Sequence, residues 1–159
     1  MEAARDAAAA DIPRLVELAN QLRDELRVMR GGELWEVRES RVQPLADAFA
    51  ALLARPDVVV LAGTIDDVVV GYGTLEIEVL TDGRRLGVIG DLFTEPDARD
   101  VGVGEAMAVE LVARAVAAGC SGVDAFALPG HRQAKNFFER SGFTARALLM
   151  HKPLPEREP

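Results

Sequence analysis

Residues 99–107 read RDVGVGEAM, which sets Arg99 three positions before Gly102, with Gly104 following at the next but one position. Two glycines one residue apart, at the start of an apolar helical run, let the backbone approach a partner without a Cβ in the way. The first N–H groups of a helix have no internal acceptor and carry the positive end of the peptide dipoles, so an anion suits this place, a pyrophosphate above all. Arg99, one turn upstream, adds a positive charge. Two other readings stay open on these residues alone. The glycines can serve only a tight turn into the helix. GVGEAM can also be a piece of the dinucleotide fingerprint G-x-G-x-x-G. Against that, its third glycine position is Met107, the preceding strand ends about eight residues upstream, and Asp124 lies at the start of the next strand and not at its end. A P-loop is excluded, because no GK[ST] follows.

The elements that must position this loop follow from periodicity and turn residues. Asp11 caps a helix over IPRLVELANQLRDEL, with Pro13 harmless in the first turn and Ile12, Leu15, Leu18, Leu22 and Leu26 on one face. Gly31-Gly32 stops it, and a weaker helix runs from about Glu39 to Leu53, interrupted near Pro44. Strands follow at Val58–Ala62, Val68–Leu80 and Leu86–Phe93, the last two joined by the turn Thr81-Asp82-Gly83-Arg84. A helix from about Gly102 to Ala118 ends at Gly119. Then come a strand over Val123–Leu128, a short helix over Arg132–Arg140 and a last strand over Phe143–Met150. A first strand is expected near residues 2–5. Hairpins followed by helical crossovers imply an α/β (α+β) fold: a mixed, mostly antiparallel sheet of six to seven strands with about four helices on its faces.

The bulk composition sets the frame. With 159 residues, 49% hydrophobic and 28% charged, the chain suits one domain with one core, expected over residues 1–152, and a proline-rich, charged and disordered tail over 153–159. No apolar run reaches the roughly 18–20 residues that a bilayer requires, and the alanine-rich start lacks the layout of a secretion signal. The expectation is a cytoplasmic protein without a membrane partner. A net charge of −8 disfavours nucleic acid, and one cysteine, Cys120, excludes an internal disulfide and a Cys-based zinc site. No metal is expected.

Arg99-x-x-Gly102-x-Gly104 resembles the [QR]-x-x-G-x-[GA] pyrophosphate loop of the GNAT superfamily of N-acetyltransferases. GDLFTEPDARDVGVGEAM resembles that family's fourth strand and following helix, and AAGCSGVDAFAL its helix end and fifth strand. Ala134-Lys135-Asn136-Phe137-Phe138-Glu139-Arg140-Ser141-Gly142-Phe143 resembles its A-x-x-F-Y-E-x-x-G-F segment, and Arg5 to Pro13 its entry into the first helix. The order of elements agrees over nearly the whole chain.

The resemblance implies transfer of the acetyl group of acetyl-CoA to a primary amine, on a small molecule, a peptide N-terminus or a lysine, by direct attack in a ternary complex. Acetyl-CoA would lie between the fourth and fifth strands. Leu92, Phe93 and Thr94 would offer main-chain groups to the pantetheine arm, with one N–H polarising the thioester carbonyl. Asp100, Val101, Gly102, Val103, Gly104 and Glu105, with Arg99, would form the pyrophosphate loop, and Phe137 would complete the cofactor wall. Asp91 is the candidate base for the ammonium proton, where related sequences read E-D-L and this one Gly90-Asp91-Leu92. The family's tyrosine acid is replaced by Phe138, and His131 is the candidate replacement; a thiolate of ordinary pKa, ~8.5, leaves tolerably well even without an acid. Trp35, Tyr72 and Glu76 are candidates for the substrate pocket, with Glu33 and Glu36 beside Trp35. Homodimers are common in the resembling family. Phe138, Gly90 and the acidic residues Asp100 and Glu105 also fit an alternative, a catalytically quiet acyl-CoA-binding regulatory or interaction module.

Overall fold

The computed structural model describes all 159 residues. Its elements run β1 (Glu2–Asp6), α1 (Ile12–Arg27), α2 (Gly32–Arg38), α3 (Leu45–Ala54), β2 (Val58–Ile65), β3 (Val68–Val79), β4 (Arg85–Thr94), α4 (Val103–Ala117), β5 (Cys120–Ala125) and α5 (Arg132–Arg140). The strands form one sheet in the order β1-β2-β3-β4-β5, antiparallel throughout except for the parallel β4–β5 pair. α4 is the crossover that parallel pairing demands.

The sheet is thus mixed and mostly antiparallel, but it has five strands and not six to seven, and the α-helices number five and not about four. The expected strand over residues 143–150 is irregular. Phe143 packs against Phe138, ring centroids 5.3 Å apart, and the residues after it form no ladder with β5. Leu148, Leu149 and Met150 stay exposed, and only the Arg146–Asp124 ion pair ties the segment to β5. Of the weak helix expected from Glu39 to Leu53 only the part after Pro44 forms, as α3, and a further helix, α2, precedes Glu39 where none was expected. Gly31, at φ 83°, opens α2 rather than merely stopping α1, and Pro44 stands at the start of α3. β5 begins and ends three residues earlier than expected.

α1 buries Leu15, Leu18, Leu22 and Leu26, the stripe that its periodicity requires. Asp11 does not cap α1; its carboxylate accepts from the N–H of Ala8 at 2.8 Å and from Arg5. The core has two sides. Helices α1, α2 and α3 pack on one sheet face around Tyr72, Phe93, Val60, Phe49 and Trp35. α4 packs on the other, with Val103, Met107, Leu111 and Ala115 against Leu61, Leu75 and Ile89. Glycines floor that second side. A Cβ on Gly63 would stand 2.7 Å from Val103 and Met107 atoms, and one on Gly71 2.6 Å from the Phe93 carbonyl oxygen. Closely seated in this way, α4 holds its N-terminus fixed relative to β4.

No helix is long and apolar enough to cross a membrane.

Candidate active site

The central site feature begins as a backbone irregularity. From Gly73↔Leu92 to Leu75↔Ile89, β3 advances two residues and β4 three. The extra residue is a β-bulge at Gly90–Asp91, opposite Thr74, and bulges re-aim side chains. Ile89 is buried beneath α4, whereas Asp91 turns to the α1 side. The Thr74 hydroxyl accepts from the Asp91 N–H at 3.0 Å and secures the bulge.

Asp91 then gathers a polar network inside an otherwise apolar floor. Arg41 Nε donates to Asp91 Oδ2 at 2.7 Å, and the Tyr72 hydroxyl donates to the same oxygen at 3.1 Å. Arg41 Nη2 also donates to Thr74 Oγ1 at 2.9 Å. A Cβ on Gly90 would lie 3.0 Å from Thr74 Oγ1 and 3.4 Å from that nitrogen, so the glycine makes room for the Arg41–Thr74 contact. Tyr72 is fully buried edge-on against Phe49, ring centroids 5.6 Å apart. Burial, reinforced by the Asp91 carboxylate and opposed by Arg41, pushes its phenol well above the usual 10. Tyr72 therefore keeps its proton and orients Asp91.

Two clefts meet at Asp91. One, about 260 Å³, is lined by Trp35, Arg23, Arg41, Ser40, Tyr72 and Asp91, among others. The second, about 410 Å³, lies where β4 and β5 part: their pairing stops at Ile89↔Ala125, and Gly90–Thr94 have no strand partner on that side. Its walls include Leu92, Trp35, Phe126, His131 and Phe138. Burial lowers the half-buried His131 imidazole below its ordinary 6.5; Glu25 opposes this and Arg99 adds to it. His131 is thus neutral at pH 7, better suited to accept a proton than to donate one. Phe138, tilted against Phe143 at 5.3 Å, contributes hydrocarbon.

The glycine loop stands beyond the end of β4. Asp100 (φ 63°) and Gly102 (φ 101°) are both left-handed and turn the chain into α4. Gly102 is the position where the turn calls for glycine. The first helical bond of α4 is Ala106 N–H to Gly102 O at 2.9 Å, and the amides of Val103, Gly104 and Glu105 have no acceptor. Phe137 lies over this turn, 3.6 Å from where a Gly104 Cβ would be, with Thr94 Oγ1 at 3.8 Å. Val101, Asp100 and Glu105 are exposed. Arg99 does not reach into the loop as a free cation. Its Nη atoms pair with both oxygens of Glu25 at 2.9 and 2.7 Å, its Nε donates to the Thr94 carbonyl at 2.8 Å, and it lies over the Phe93 ring at 5.4 Å.

The structure therefore brings Asp91, Tyr72, Trp35, Leu92 and His131 together around the joined clefts, and Thr94, Phe137 and Gly104 at the loop. Phe93 faces the α1 core. Glu76 lines neither cleft; β3 is paired there with both β2 and β4, and the half-exposed Glu76 side chain accepts from Arg55. Glu33 is exposed, and Glu36 accepts from Arg23. Arg41, Arg23, Thr74 and Glu25 escaped sequence reading, because their partners lie far away along the chain, 50 positions for Arg41–Asp91 and 74 for Arg99–Glu25.

Comparisons with solved structures show the same fold. The tetramutant of the BH1408 protein from Bacillus halodurans superposes with a TM-score of 0.82 at 18% identity, over 95% of this chain and 99% of that one. Glucosamine-6-phosphate N-acetyltransferase from Arabidopsis thaliana gives 0.71 at 19%, over 98% and 99%. A predicted acetyltransferase from Clostridium acetobutylicum, solved with acetyl-CoA, gives 0.72 at 17%, over 96% of each chain. No curated protein matches the sequence. The family model described as "Acetyltransferase (GNAT) family" matches residues 17–143, and the chain belongs to that family.

Proposed function

We propose that the protein transfers the acetyl group of acetyl-CoA to a primary amine by direct attack in a ternary complex. The observation that carries this reading is the parting of β4 from β5 after Ile89 and Ala125, in line with the unpartnered amides at the start of α4. Such a gap offers a long thin ligand both main-chain hydrogen-bonding groups and an anion site. When bound, acetyl-CoA supplies an activated acyl carbonyl. The free edge of β4 at Leu92, Phe93 and Thr94 offers main-chain groups to the pantetheine arm and the carbonyl. The loop from Asp100 to Glu105 receives the pyrophosphate on the Val103, Gly104 and Glu105 amides, and Phe137 flanks it. Arg99, held by Glu25, fixes the end of β4 against α1 and so sets the loop in place. Asp100 and Glu105 work against anion binding and weaken it.

On the acceptor side, Asp91 orients the amine: Oδ1 accepts no hydrogen bond from the protein while Oδ2 is anchored by Arg41 and Tyr72. His131, neutral and in the same cleft, receives the amine proton. Positioning supplies much of the rate, as expected where both reactants are held together.

Calorimetric titration with acetyl-CoA and steady-state release of free CoA test the reading. Gly104→Glu places a carboxylate beside the pyrophosphate and should weaken acetyl-CoA binding by at least about 100-fold while the melting temperature stays within a few degrees. Unchanged affinity means the nucleotide sits elsewhere. Binding without turnover on any amine points instead to a quiet acyl-CoA-binding module.

A further inference from the structure

Arg23 on α1 and Arg41 in the α2–α3 loop line the same cleft; Arg41 is held by Asp91, Thr74 and the face of Phe49, Arg23 by Glu36 alone, and each keeps guanidinium nitrogens free of protein acceptors. Glu36 accepts from Nε of Arg23 alone, at 3.0 Å. Asp91 accepts from Nε of Arg41, and Thr74 from its Nη2. Both terminal nitrogens of Arg23, and Nη1 of Arg41, have no protein acceptor. The two side chains are 27% and 21% exposed, so they lack the full hydration of surface arginines. A guanidinium whose fork is open and partly dehydrated is suited to a planar or tetrahedral anion. Arg99 offers the contrast, since Glu25 already closes its fork with both oxygens.

The same cleft holds Asp91, whose Oδ1 is free of protein donors. Arg41 and Asp91 are ion-paired at 2.7 Å, so an anion on the open guanidinium nitrogens would lie close beside an ammonium on Oδ1. The cleft is small and opens to solvent, so it suits a small acceptor. Each arginine has one carboxylate partner, Glu36 or Asp91, so an anion would be held here by the open guanidinium donors rather than by a net positive charge.

We propose that the acceptor is a small amine that also bears an anionic group, a carboxylate or a phosphate, which the free guanidinium nitrogens of Arg23 and Arg41 bind while the amine lies against Asp91. The placement of the amine rests on the acetyl-transfer reading; the anion site does not.

The test uses glycine, β-alanine, 4-aminobutyrate, 2-aminoethyl phosphate and propylamine, first by calorimetry without acetyl-CoA, then in the CoA-release assay. At least one anionic amine should bind, and be acetylated, about 10-fold or more better than propylamine. Whether an amino acid or the phosphate leads identifies the anion. Arg23→Gln should remove most of that preference, and Arg23→Lys, which keeps the charge without the fork, should remove part of it. Melting curves of both variants verify folding. Propylamine performing as well as every anionic probe overturns the proposal, as does a preference that survives Arg23→Gln in a folded protein. Arg23-dependent binding of an anionic amine by a protein that binds no acetyl-CoA would sink the acetyl-transfer reading and leave the anion site standing. Equal transfer to propylamine and the anionic probes would do the reverse.

Discussion

Along its β3 side, β4 is paired from Arg85 to Thr94; along its β5 side it is paired only from Arg85 to Ile89. The two edges of one strand differ in what covers them as well. On the β3 side, glycines of β2 and β3 bring α4 into close contact with the sheet, and Leu111 and Met107 are fully buried. The β5 side faces α5, which buries no residue completely, and a cleft walled by Phe126, His131 and Phe138. The contrast teaches how such a site can be both firm and open. One edge anchors Asp91 and the loop through dense packing, and the other leaves backbone groups and space for ligands.

The sharpest way to break this contrast is to add one methyl group to each side. Gly71→Ala puts a Cβ 2.6 Å from the Phe93 carbonyl oxygen and 3.0 Å from Met107, so β3, β4 and α4 must shift. It should cost about 1–3 kcal/mol in urea unfolding. Gly122→Ala on β5 meets only Leu86 Cδ1, at 3.8 Å, and should be neutral or stabilise by up to roughly 0.5–1 kcal/mol through a less flexible unfolded chain. Equal losses at both positions would mean that the β5 side is as tightly determined as the β3 side.

How much of this was legible in the sequence follows the same division. α5 runs from Arg132 to Arg140 as its local pattern predicts, and α4 and the Thr81–Arg84 turn are likewise local signals. Gly102 announces its left-handed turn by being glycine. The bulge at Asp91 could not be read, because it exists only in the register between β3 and β4. Arg41 lies in a loop with no periodicity, and nothing near it in sequence points to Asp91. Arg99 shows the opposite failure: its motif position was legible, but its charge is engaged by Glu25 on α1, so the role expected from spacing alone differs from its contacts. The segment after Gly142 has strand-like residues and is tied to the edge strand β5 through Arg146 and Asp124, yet forms no ladder with it.

Tyr72→Phe probes how far firmness on the β3 side matters to the cleft. The variant loses one hydrogen bond to Asp91 Oδ2 while Arg41 still holds that oxygen. It should destabilise the fold by about 1 kcal/mol. If orientation of Asp91 governs the acceptor, kcat/KM for the amine should fall by roughly 10-fold, with acetyl-CoA affinity unchanged. A loss of stability without a loss of rate would make Tyr72 a core residue only.

The smallest effect concerns His131, on the open side, and its sign can be worked out. Burial holds the folded imidazole below its ordinary 6.5, so folding favours the neutral form. Between the unfolded value near 6.5 and the lowered folded value, the unfolded chain binds more protons than the folded one. Stability therefore rises with pH across that window and falls as the medium is acidified through it. Several carboxylates titrate at lower pH with a downward shift of their own, Asp11 and Asp124 among them, since their arginine partners lower them, and these too lose stability in acid. The contribution of His131 is thus read as a difference: urea midpoints of the wild-type protein and of His131→Gln, measured from about pH 7.5 down to about pH 5. The wild type should lose stability faster as the pH falls through about 6.5, and the two curves should approach the same slope toward about pH 7.5, where the imidazole is mostly neutral in both states. An acetyl-CoA ligand that fills the β4–β5 gap would bury the ring further and steepen the difference. Parallel curves throughout would show that water reaches His131 freely, and the open edge of β4 would then be more open than the static fold implies.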